Sequence, residues 1–383
     1  MKNVLLFTHK LSGGGAEKTV RRLAAYINEH DCGYHAVVCV IHDDIDYHDE
    51  VDELIVLPSK SSASDNKLKR GLNVFRQIRE LREIKLLTRP DVCISFLPGA
   101  DRINILSHTG EQLVVSVRVK ESYFTHDILR KTEICRSYSK ADRVITVSDY
   151  VRQDVLDFFG ADPSKVTTIH NSIEPSNEDA DTDILPEVAD FVRDHRVLIN
   201  VGRLDEQKGQ DHLIRAFARV HGSHPDTVLL ILGEGEWRSH LETIIHENAC
   251  DDCIMLAGNV HDTHAYLKRA DVFVLSSNVE GMPNVILEAM SAGLPCISTE
   301  CGSREILAPG TDVTYAAADV DYAEYGVLIP IRDEDIMERA ICRMLDDDEL
   351  RQRYIGLAHE CLEGYTPDRI YGEWIRMLDE LSK

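Results

Sequence analysis

Short, continuous runs of Val, Ile and Leu alternate along the whole chain with longer segments in which apolar residues recur at helical spacing. Continuous apolar runs are typical of parallel strands that are buried on both faces, whereas helical spacing indicates helices with one apolar face. Strand and helix patterns that alternate in this way build parallel sheets covered by helices. The pattern therefore predicts an α/β protein made of two doubly wound, Rossmann-like domains.

The strands can be assigned in both halves of the chain. In the first half the predicted strands are Val4–Phe7, Tyr34–Ile41, Glu53–Leu57, Val92–Phe96, Leu113–Val117, Arg143–Val147 and Val166–Ile169. In the second half they are Arg196–Val201, Val228–Leu232, Ile254–Leu256, Val272–Leu275 and Pro295–Ser298. Helices are predicted between them, among them one from about Ala16 to Glu29 and one from Asn284 to Ala292.

The periodicity is interrupted between Asn171 and Pro186, where proline, serine and acidic residues cluster. We place the domain boundary there, which predicts an N-terminal domain of residues 1–175 and a C-terminal domain of residues 176–367. Asp179, Asp181 and Asp183 resemble the start of a calcium loop, but the glycine and glutamate that complete such a loop are missing. A solvated linker is the favoured interpretation.

The length of 383 residues suits two domains, and 43% apolar with 28% charged residues is typical of a globular protein. No apolar run has the length that a membrane span needs, and the N-terminus enters a strand directly. The ten cysteines are scattered, which favours reduced thiols. A cytoplasmic protein is therefore expected.

The net charge of −24 is unevenly distributed. Residues 1–175 carry 24 basic and 25 acidic side chains, and residues 176–383 carry 18 and 41. A chain this acidic is not expected to bind nucleic acid. Within the first half, however, Lys60–Arg89 holds nine cations against three anions, with apolar residues at near-helical spacing. This segment is either a helix that docks on an anionic membrane, such as the inner face of the plasma membrane, or one that packs on the sheet with its cations in water.

Two motifs of the second half carry the candidate chemistry. Asn200–Gly209 places Arg203 and Lys208 directly after a strand, where ligands bind in open parallel sheets. Glu280 and Glu288 bracket a turn and the start of a helix, whose free N–H groups favour an anion. Two cations suit a diphosphate, and carboxylates suit the paired hydroxyls of a sugar. The motifs together predict a site for a nucleotide-activated sugar.

These motifs resemble the donor half of the retaining glycosyltransferase family 4, which has the GT-B fold. The Glu-x7-Glu motif of that family maps onto Glu280 and Glu288, and its Gly-Arg-Leu…Lys-Gly motif maps onto Gly202–Leu204 with Lys208 and Gly209. A glycine-rich loop after the first strand, Gly13–Glu17, is similar as well. The resemblance extends over residues 1 to about 375. It implies two domains that face a cleft, with a C-terminal helix of about residues 368–383 that crosses back to the N-terminal domain.

The resemblance also assigns roles to residues. Arg203, Lys208 and Glu280 are the expected catalytic residues, with the two cations on the donor diphosphate and Glu280 on the transferred sugar. Glu288 is expected to bind the ribose. The full set of expected donor-binding residues is Gly14, Gly15, Gly202, Arg203, Lys208, Gly233, Asn259, Val260, Glu280, Gly281, Met282, Pro283, Asn284 and Glu288.

The acceptor side of the resemblance is less complete. Related transferases of polysaccharide and lipid-linked oligosaccharide assembly often carry Ser-Glu-Arg-Asn after the strand at Leu113–Val117. This chain has Ser116-Val-Arg-Val-Lys-Glu121, so Arg118 matches the arginine while Val117 and Val119 depart from the pattern. Arg118, Lys120 and His126 are the acceptor-side candidates, and no catalytic histidine is assigned.

The resemblance implies a retaining glycosyltransferase that moves a sugar from a nucleotide-sugar, with UDP as the expected nucleotide, to a glycan or lipid-linked acceptor of cell-surface polysaccharide or glycoconjugate synthesis. It implies no metal or other cofactor. Two alternatives stay open. The first is a GT-B sugar-nucleotide epimerase, and the second is a sugar-nucleotide binding protein without catalytic activity.

Overall fold

A computed structural model describes residues 1–12, 14–44, 51–59, 67–173, 184–260 and 262–382. For residues 67 and 68 the description covers the backbone only. The chain forms two compact units, Met1–Ser172 with Pro367–Lys383 (unit 1) and Ile173–Thr366 (unit 2). The sequence placed the boundary at 175/176, whereas the units divide at 172/173. The acidic triplet Asp179, Asp181 and Asp183 lies outside the described residues.

Unit 1 is built on a parallel sheet. Its strands are β1 (Lys2–Thr8), β2 (Tyr34–Val40), β3 (Leu54–Val56), β4 (Val92–Phe96), β5 (Gln112–Val117), β6 (Arg143–Thr146) and β7 (Val166–Thr168). Their order is β3-β2-β1-β4-β5-β6-β7, and all neighbours are parallel. The strand order reverses between β1 and β4, which is the place where doubly wound sheets open a crevice at their carboxyl ends.

Helices cover both faces of this sheet. They are α1 (Gly15–Glu29), α2 (Lys67–Thr88), α3 (Pro98–Leu106), α4 (Glu121–Phe124), α5 (Ile128–Lys140), α6 (Asp149–Asp157) and the C-terminal helix, which is α15 (Pro367–Leu381) in chain order. Val4 and Leu6 of β1 face a core shared with α1 and α15, and Leu5 and Phe7 face a second core shared with α2 and α3. Burial on both faces explains why β1 is a continuous apolar run.

The basic segment Lys60–Arg89 forms α2 from Lys67 onward, and Lys60 lies outside the described residues. Leu81 packs in the core, whereas Leu72, Phe75 and Leu86 are exposed. Lys85, one of the nine cations counted in this segment, is not a surface cation. Its side chain is fully buried, and its Nζ lies 2.6 Å from Glu111 Oε1 and donates to Asn104 Oδ1 at 2.6 Å. A buried ammonium needs such a counter-ion, and Glu111 is distant in sequence.

Unit 2 repeats the architecture. Its strands are β8 (Arg196–Val201), β9 (Thr227–Leu232), β10 (Ile254–Gly258), β11 (Val272–Leu275), β12 (Cys296–Thr299), β13 (Asp321–Tyr322) and β14 (Val327–Ile329). Its helices are α7 (Pro186–Val192), α8 (Gln210–Ser223), α9 (Arg238–Glu247), α10 (Thr263–Leu267), α11 (Asn284–Ser291), α12 (Arg304–Leu307), α13 (Glu334–Asp346) and α14 (Asp348–Glu363). The strand order is β10-β9-β8-β11-β12-β14-β13, with β13 antiparallel to β14. The sequence did not predict β13 and β14.

The structure differs from the sequence-based assignment in a few local details. Helix α1 begins at Gly15 rather than Ala16, and α11 ends at Ser291 rather than Ala292. Helix α11 begins at Asn284 as predicted, and Pro283 precedes it as the capping residue. The ten cysteines are all free. No helix in the described part of the chain is long and apolar enough to cross a membrane.

Candidate active site

The loops after β8 and β11 bring the predicted donor residues of unit 2 together. Arg203 and Lys208 follow β8, and Glu280 follows β11. These two strands are neighbours in the sheet, and the strand order reverses between them, since β9 lies on the far side of β8 and β12 on the far side of β11. The carboxyl ends of strands at such a reversal form the usual ligand crevice of an open α/β sheet.

Lys208 is held by a short, well-defined turn. It ends a 3₁₀ helix of residues Glu206–Lys208, and its N–H donates to Asp205 Oδ1 at 3.2 Å. Gly209 then takes a left-handed conformation with φ of 59°, and a Cβ at that position would lie 2.4 Å from Ser276 O. The chain after β8 therefore needs glycine there in order to pass against the loop after β11.

The ammonium of Lys208 forms an ion pair with Glu280. Lys208 Nζ donates to Glu280 Oε1 at 2.6 Å, and the two side chains are only 16% and 11% exposed. Ser277 Oγ donates to the same oxygen at 2.7 Å. Within the described residues both donors bond to Oε1, which leaves Oε2 to accept from a ligand hydroxyl. The sequence assigned these two residues to different parts of the donor and did not predict their pairing.

A set of polar contacts joins the two loops. Asn278 N donates to Gln207 O at 2.7 Å, and Asn278 Nδ2 donates to Glu206 O at 2.6 Å. Gln207 Nε2 donates to Val279 O at 2.9 Å, and Arg332 Nε donates to Asn278 Oδ1 at 2.8 Å. Asn278 therefore bridges the loops that carry Lys208 and Glu280. Sequence reasoning missed this residue, although a polar Ser-Ser-Asn segment directly after an apolar strand is a usable signal.

Arg203 is held far less firmly than Lys208. Its side chain is 72% exposed, and Nη2 lies 3.3 Å from Asp205 Oδ2. Its backbone oxygen accepts from Gln210 Nε2 at 2.9 Å. A fixed backbone and an exposed guanidinium let the side chain turn toward an arriving anion, because a surface ion pair of this kind contributes only about 0–1 kcal/mol.

Glycines allow the loop after β9 to approach the loop after β8. Gly233 has φ of 137°, and a Cβ on it would lie 2.0 Å from Gly202 O. A Cβ on Gly235 would lie 2.2 Å from Leu204 O. Gly233 N donates to Gly258 O at 2.8 Å, which brings the segment that contains Asn259 and Val260 to the same edge. Gly233 and Gly235 are thus needed for close backbone contact.

Glu288 lies in the second turn of α11 and is partly buried. Gly281, Met282 and Pro283, which precede the helix, are buried, and Asn284 and Val285 are partly buried. The loop after β12 holds the backbone of Glu280, since Glu280 N donates to Cys301 O at 2.6 Å. Burial raises the pKa of the Cys301 thiol to about 12, and the negative charge of Glu280 adds to this rise. The thiol therefore stays protonated beside the site.

In unit 1 the predicted residues are not all brought together. Gly14 precedes α1, Gly15 begins it, and Gly13 lies outside the described residues. Arg118 Nη2 donates to Thr19 Oγ1 of α1 at 3.1 Å and to Asn171 Oδ1. Two further acceptor-side candidates follow Arg118 along the chain.

These candidates are Lys120 and His126. Lys120 Nζ donates to Tyr150 Oη at 3.1 Å and lies over its ring, and His126 is exposed in the turn before α5. His9, at the carboxyl end of β1, is mostly buried, and burial together with the nearby His42 lowers its pKa to about 4. It is therefore neutral at physiological pH. Lys120 and His126 stay acceptor-side candidates.

The two halves of the chain match two models of protein families. Residues 13–177 match the model described as Glycosyltransferase Family 4, and residues 195–347 match the model described as Glycosyl transferases group 1. Among solved structures, Anabaena HepE in complex with UDP-glucose has a TM-score of 0.81 at 16% identity, covering 99% of this chain and 100% of that chain. The fold is GT-B, with two Rossmann-like units.

Two curated relatives show similarity over most of their length. An uncharacterised glycosyltransferase of Methanocaldococcus jannaschii is 28% identical over 342 residues, which cover 82% of this chain and 83% of the relative. A Campylobacter jejuni enzyme is 25% identical over 390 residues, which cover 99% and 100%. Its name is N-acetylgalactosamine-N,N'-diacetylbacillosaminyl-diphospho-undecaprenol 4-alpha-N-acetylgalactosaminyltransferase.

Proposed function

This chain belongs to the glycosyltransferases, and we propose that it moves a sugar from a UDP-sugar to a lipid-linked, diphosphate-bearing glycan with retention of anomeric configuration. Its first half matches the family 4 model, and its second half matches the group 1 model. The observation that carries this proposal is the Lys208–Glu280 pair at the carboxyl edge of β8 and β11. Support for the acceptor comes from the Campylobacter jejuni relative, whose name contains a diphospho-undecaprenol acceptor.

In this proposal unit 2 binds the donor. Arg203 and Lys208 bind the diphosphate, and Lys208 can do so without leaving Glu280, because an ammonium has three donors. Glu280 accepts from a hydroxyl of the transferred sugar through Oε2. Glu288 accepts from the ribose hydroxyls. Asn278 touches no reacting atom and acts as a positioning residue through the two loops.

The reaction breaks the bond between the anomeric carbon and the diphosphate oxygen, and negative charge accumulates on the departing diphosphate. Arg203 and Lys208 oppose that charge, which lowers the barrier. The acceptor hydroxyl attacks the anomeric carbon from the face that the diphosphate leaves, and its proton passes to a diphosphate oxygen. One bond forms, between the acceptor oxygen and the anomeric carbon, and one breaks, between that carbon and the diphosphate oxygen. No covalent intermediate with the protein is needed.

The exposed face of α2 is proposed to bring unit 1 to an anionic membrane. Leu72, Phe75 and Leu86 are 52%, 68% and 57% exposed. The exposed cations on the helix are Lys69, Arg70, Arg76, Arg79 and Arg82. Apolar side chains between cations suit the boundary between headgroups and acyl chains, and a lipid-linked acceptor resides at that boundary.

Liposome co-sedimentation tests this docking. We expect binding to vesicles with anionic lipid, no binding to neutral vesicles, and a loss when Arg76, Arg79 and Arg82 are replaced together by Gln. The control is Arg136→Gln with Lys140→Gln, which removes exposed charges from α5. Equal binding to both kinds of vesicle, or an equal loss in the control, would contradict the proposal.

The transfer itself is tested by nucleotide release from UDP-, GDP- and ADP-sugars, with a lipid extract as the source of acceptor. The sugar is followed by mass spectrometry at the same time. We expect release from a UDP-sugar together with a heavier lipid product, and loss of both in Lys208→Ala and Glu288→Ala. Glu247→Ala, an exposed carboxylate at the end of α9, is the matched control.

Each other outcome favours one of the alternatives. A converted sugar that stays on its nucleotide would indicate an epimerase. Donor binding that depends on Lys208 and Glu288, without any product, would indicate a binding protein. Release that is unaffected by both substitutions would show that the donor site lies elsewhere.

A further inference from the structure

Arg118 of unit 1 is a partly buried cation that has no carboxylate partner in the part of the chain that the structure describes. It follows β5 at the carboxyl edge of the sheet. Its Nη2 donates to two neutral oxygens, Thr19 Oγ1 at 3.1 Å and Asn171 Oδ1. Its Nη1 is buried and makes no hydrogen bond to any of the described residues. The guanidinium is therefore fixed in place with one donor nitrogen unused.

This arrangement is costly unless an anion completes it. Burial lowers the pKa of Arg118 to about 10, so the group still carries its charge at neutral pH. An uncompensated buried charge and an unsatisfied donor both destabilise a fold, so each such group calls for a physical explanation, and a bound anion is one that satisfies both at once. A purely structural arginine would be expected to direct Nη1 at a carboxylate or a backbone oxygen.

Two further arginines, Arg21 and Arg22 of α1, lie in the region of Arg118. Burial raises the pKa of Tyr371, whereas the hydrogen bond with Ser172 and the charges of Arg22, Arg118 and Arg21 lower it. Thr19 Oγ1 also donates to Gly15 O, which places Arg118 beside the first turns of α1.

The carboxylate of α1 in this region, Glu17, does not neutralise Arg118. A Cβ on Gly14 would lie 2.2 Å from Glu17 Oε2, so the Glu17 side chain folds back over the start of the helix. No hydrogen bond or ion pair joins Glu17 to Arg118 among the described residues. Arg118 therefore has no carboxylate counter-ion among the described residues.

We propose that Arg118, held by Thr19 and Asn171, forms a phosphate subsite of unit 1 that binds the diphosphate of the acceptor. The inference rests on the proposed function, because the donor diphosphate already has Arg203 and Lys208 in unit 2. The acceptor diphosphate is the remaining anionic group of that reaction. The subsite would recognise a lipid-linked acceptor by charge and would discriminate against the same lipid without phosphate.

The test is calorimetric titration of the full chain, saturated with UDP, with farnesyl diphosphate and, separately, with farnesol. We expect Arg118→Gln to weaken farnesyl diphosphate binding at least tenfold and Arg118→Lys to weaken it less. Thr19→Val should have an intermediate effect, because the charge stays but loses its support. Binding of farnesol and of UDP should be the same in all variants. Arg136→Gln, at an exposed arginine of α5, is the control.

The inference is wrong if farnesyl diphosphate competes with UDP, if the chain does not bind it, or if Arg118→Gln binds it as the parent does. An equal weakening of farnesol binding would also contradict it, because that loss would come from misfolding or lost apolar contact. The UDP titration is run first and tests the donor site alone. Failure there would count against the proposed function, and the farnesyl diphosphate result would still decide whether Arg118 binds phosphate.

Discussion

At the scale of single residues, Lys208 and Glu280 constrain each other. Each is the counter-ion of the other at 2.6 Å, and both are mostly shielded from water. A shielded ion pair contributes little net stability, but the loss of one partner leaves the other charge without compensation. Stability and activity should therefore respond differently when one or both charges are removed.

Lys208→Gln and Glu280→Gln should each lower the free energy of unfolding by about 1–3 kcal/mol, since one charge is left unpaired. The double variant should regain most of that loss, because two amides can hydrogen-bond to each other. Transfer activity should fall about 10²- to 10³-fold in Lys208→Gln and should not recover in the double variant. Urea unfolding and kcat/KM measure the two effects. Additive losses of stability would show that the pair does not couple.

Glu121 should give unit 1 a pH-dependent stability. Its side chain is 4% exposed, and burial raises its pKa from 4.5 to about 7, although Arg130 opposes the shift. Between these values the folded state holds a proton that the unfolded state has released, so stability falls as pH rises from about 4.5 to 7. Asp154 also faces this carboxyl group and adds to the rise.

Glu121→Gln should remove this dependence. The variant should match the parent near pH 4.5 and exceed it by up to about 3 kcal/mol above pH 7, from a pKa difference of two to three units. Urea unfolding at pH 5, 6, 7 and 8 measures the difference. Asp127→Asn, at an exposed cap of α5, is the control, and it should lose stability to a similar extent at each of these pH values. Parallel curves for Glu121→Gln and the parent would contradict the prediction.

At the scale of elements, the donor site depends on loops that touch through their backbones. The loop after β9 meets the loop after β8, and the contact leaves no room for a Cβ at Gly233. The same unit contains Gly222, in the last turn of α8, where a Cβ would meet nothing within 4 Å. The two glycines form a matched pair for a test of this contact.

Gly233→Ala should destabilise unit 2 by at least about 2 kcal/mol and weaken UDP binding, because the new methyl group overlaps Gly202 O and φ is unfavourable. Gly222→Ala should stabilise the protein by about 0.5–1 kcal/mol, since alanine favours the helix, and should leave UDP binding unchanged. Denaturant unfolding and calorimetry provide both quantities. If Gly233→Ala bound UDP normally, the close contact would not position the site.

At the scale of the whole molecule, unit 1 is discontinuous in sequence. Helix α15 follows all of unit 2 along the chain, yet its Trp374, Ile370 and Leu378 lie in the core with β1 and α1. Unit 1 therefore cannot complete its core until the last residues of the chain are in place. The two tryptophans report on different units, since Trp374 is fully buried in unit 1 and Trp237 packs on the core of unit 2.

Trp374→Ala should lower the stability of unit 1 by about 3–5 kcal/mol, because it removes the largest buried side chain of that core. Trp374→Phe should cost much less, since Trp374 Nε1 makes no hydrogen bond within the described residues. Hydrogen exchange should show lost protection in β1 and β4. The fluorescence of Trp237 should still report the parent transition of unit 2. A shift of that transition would show that the units do not unfold independently.

The sequence by itself determined the α/β class, the Rossmann-like doubling and most strand positions. Burial on both faces makes each parallel strand a continuous apolar run, a signal that needs no knowledge of distant residues. Strands β13 and β14 escaped prediction, although β14 is as long as β3 and β7, which were predicted from their apolar residues. The order of the motifs also identified the glycosyltransferase family. The roles of Arg203, Lys208, Glu280 and Glu288 stay predictions.

Only the tertiary structure decided which charges meet. Lys208 and Glu280 lie 72 positions apart, and they pair because β8 and β11 are neighbours in the sheet. By sequence, Lys85 was one of the nine cations of Lys60–Arg89. In the structure it lies on the buried face of α2 and pairs with Glu111. Arg118 meets Asn171 because β5 and β7 end at the same edge. Periodicity reports which side of an element is buried, but the partner of a buried charge depends on strand order, which is a property of the whole chain.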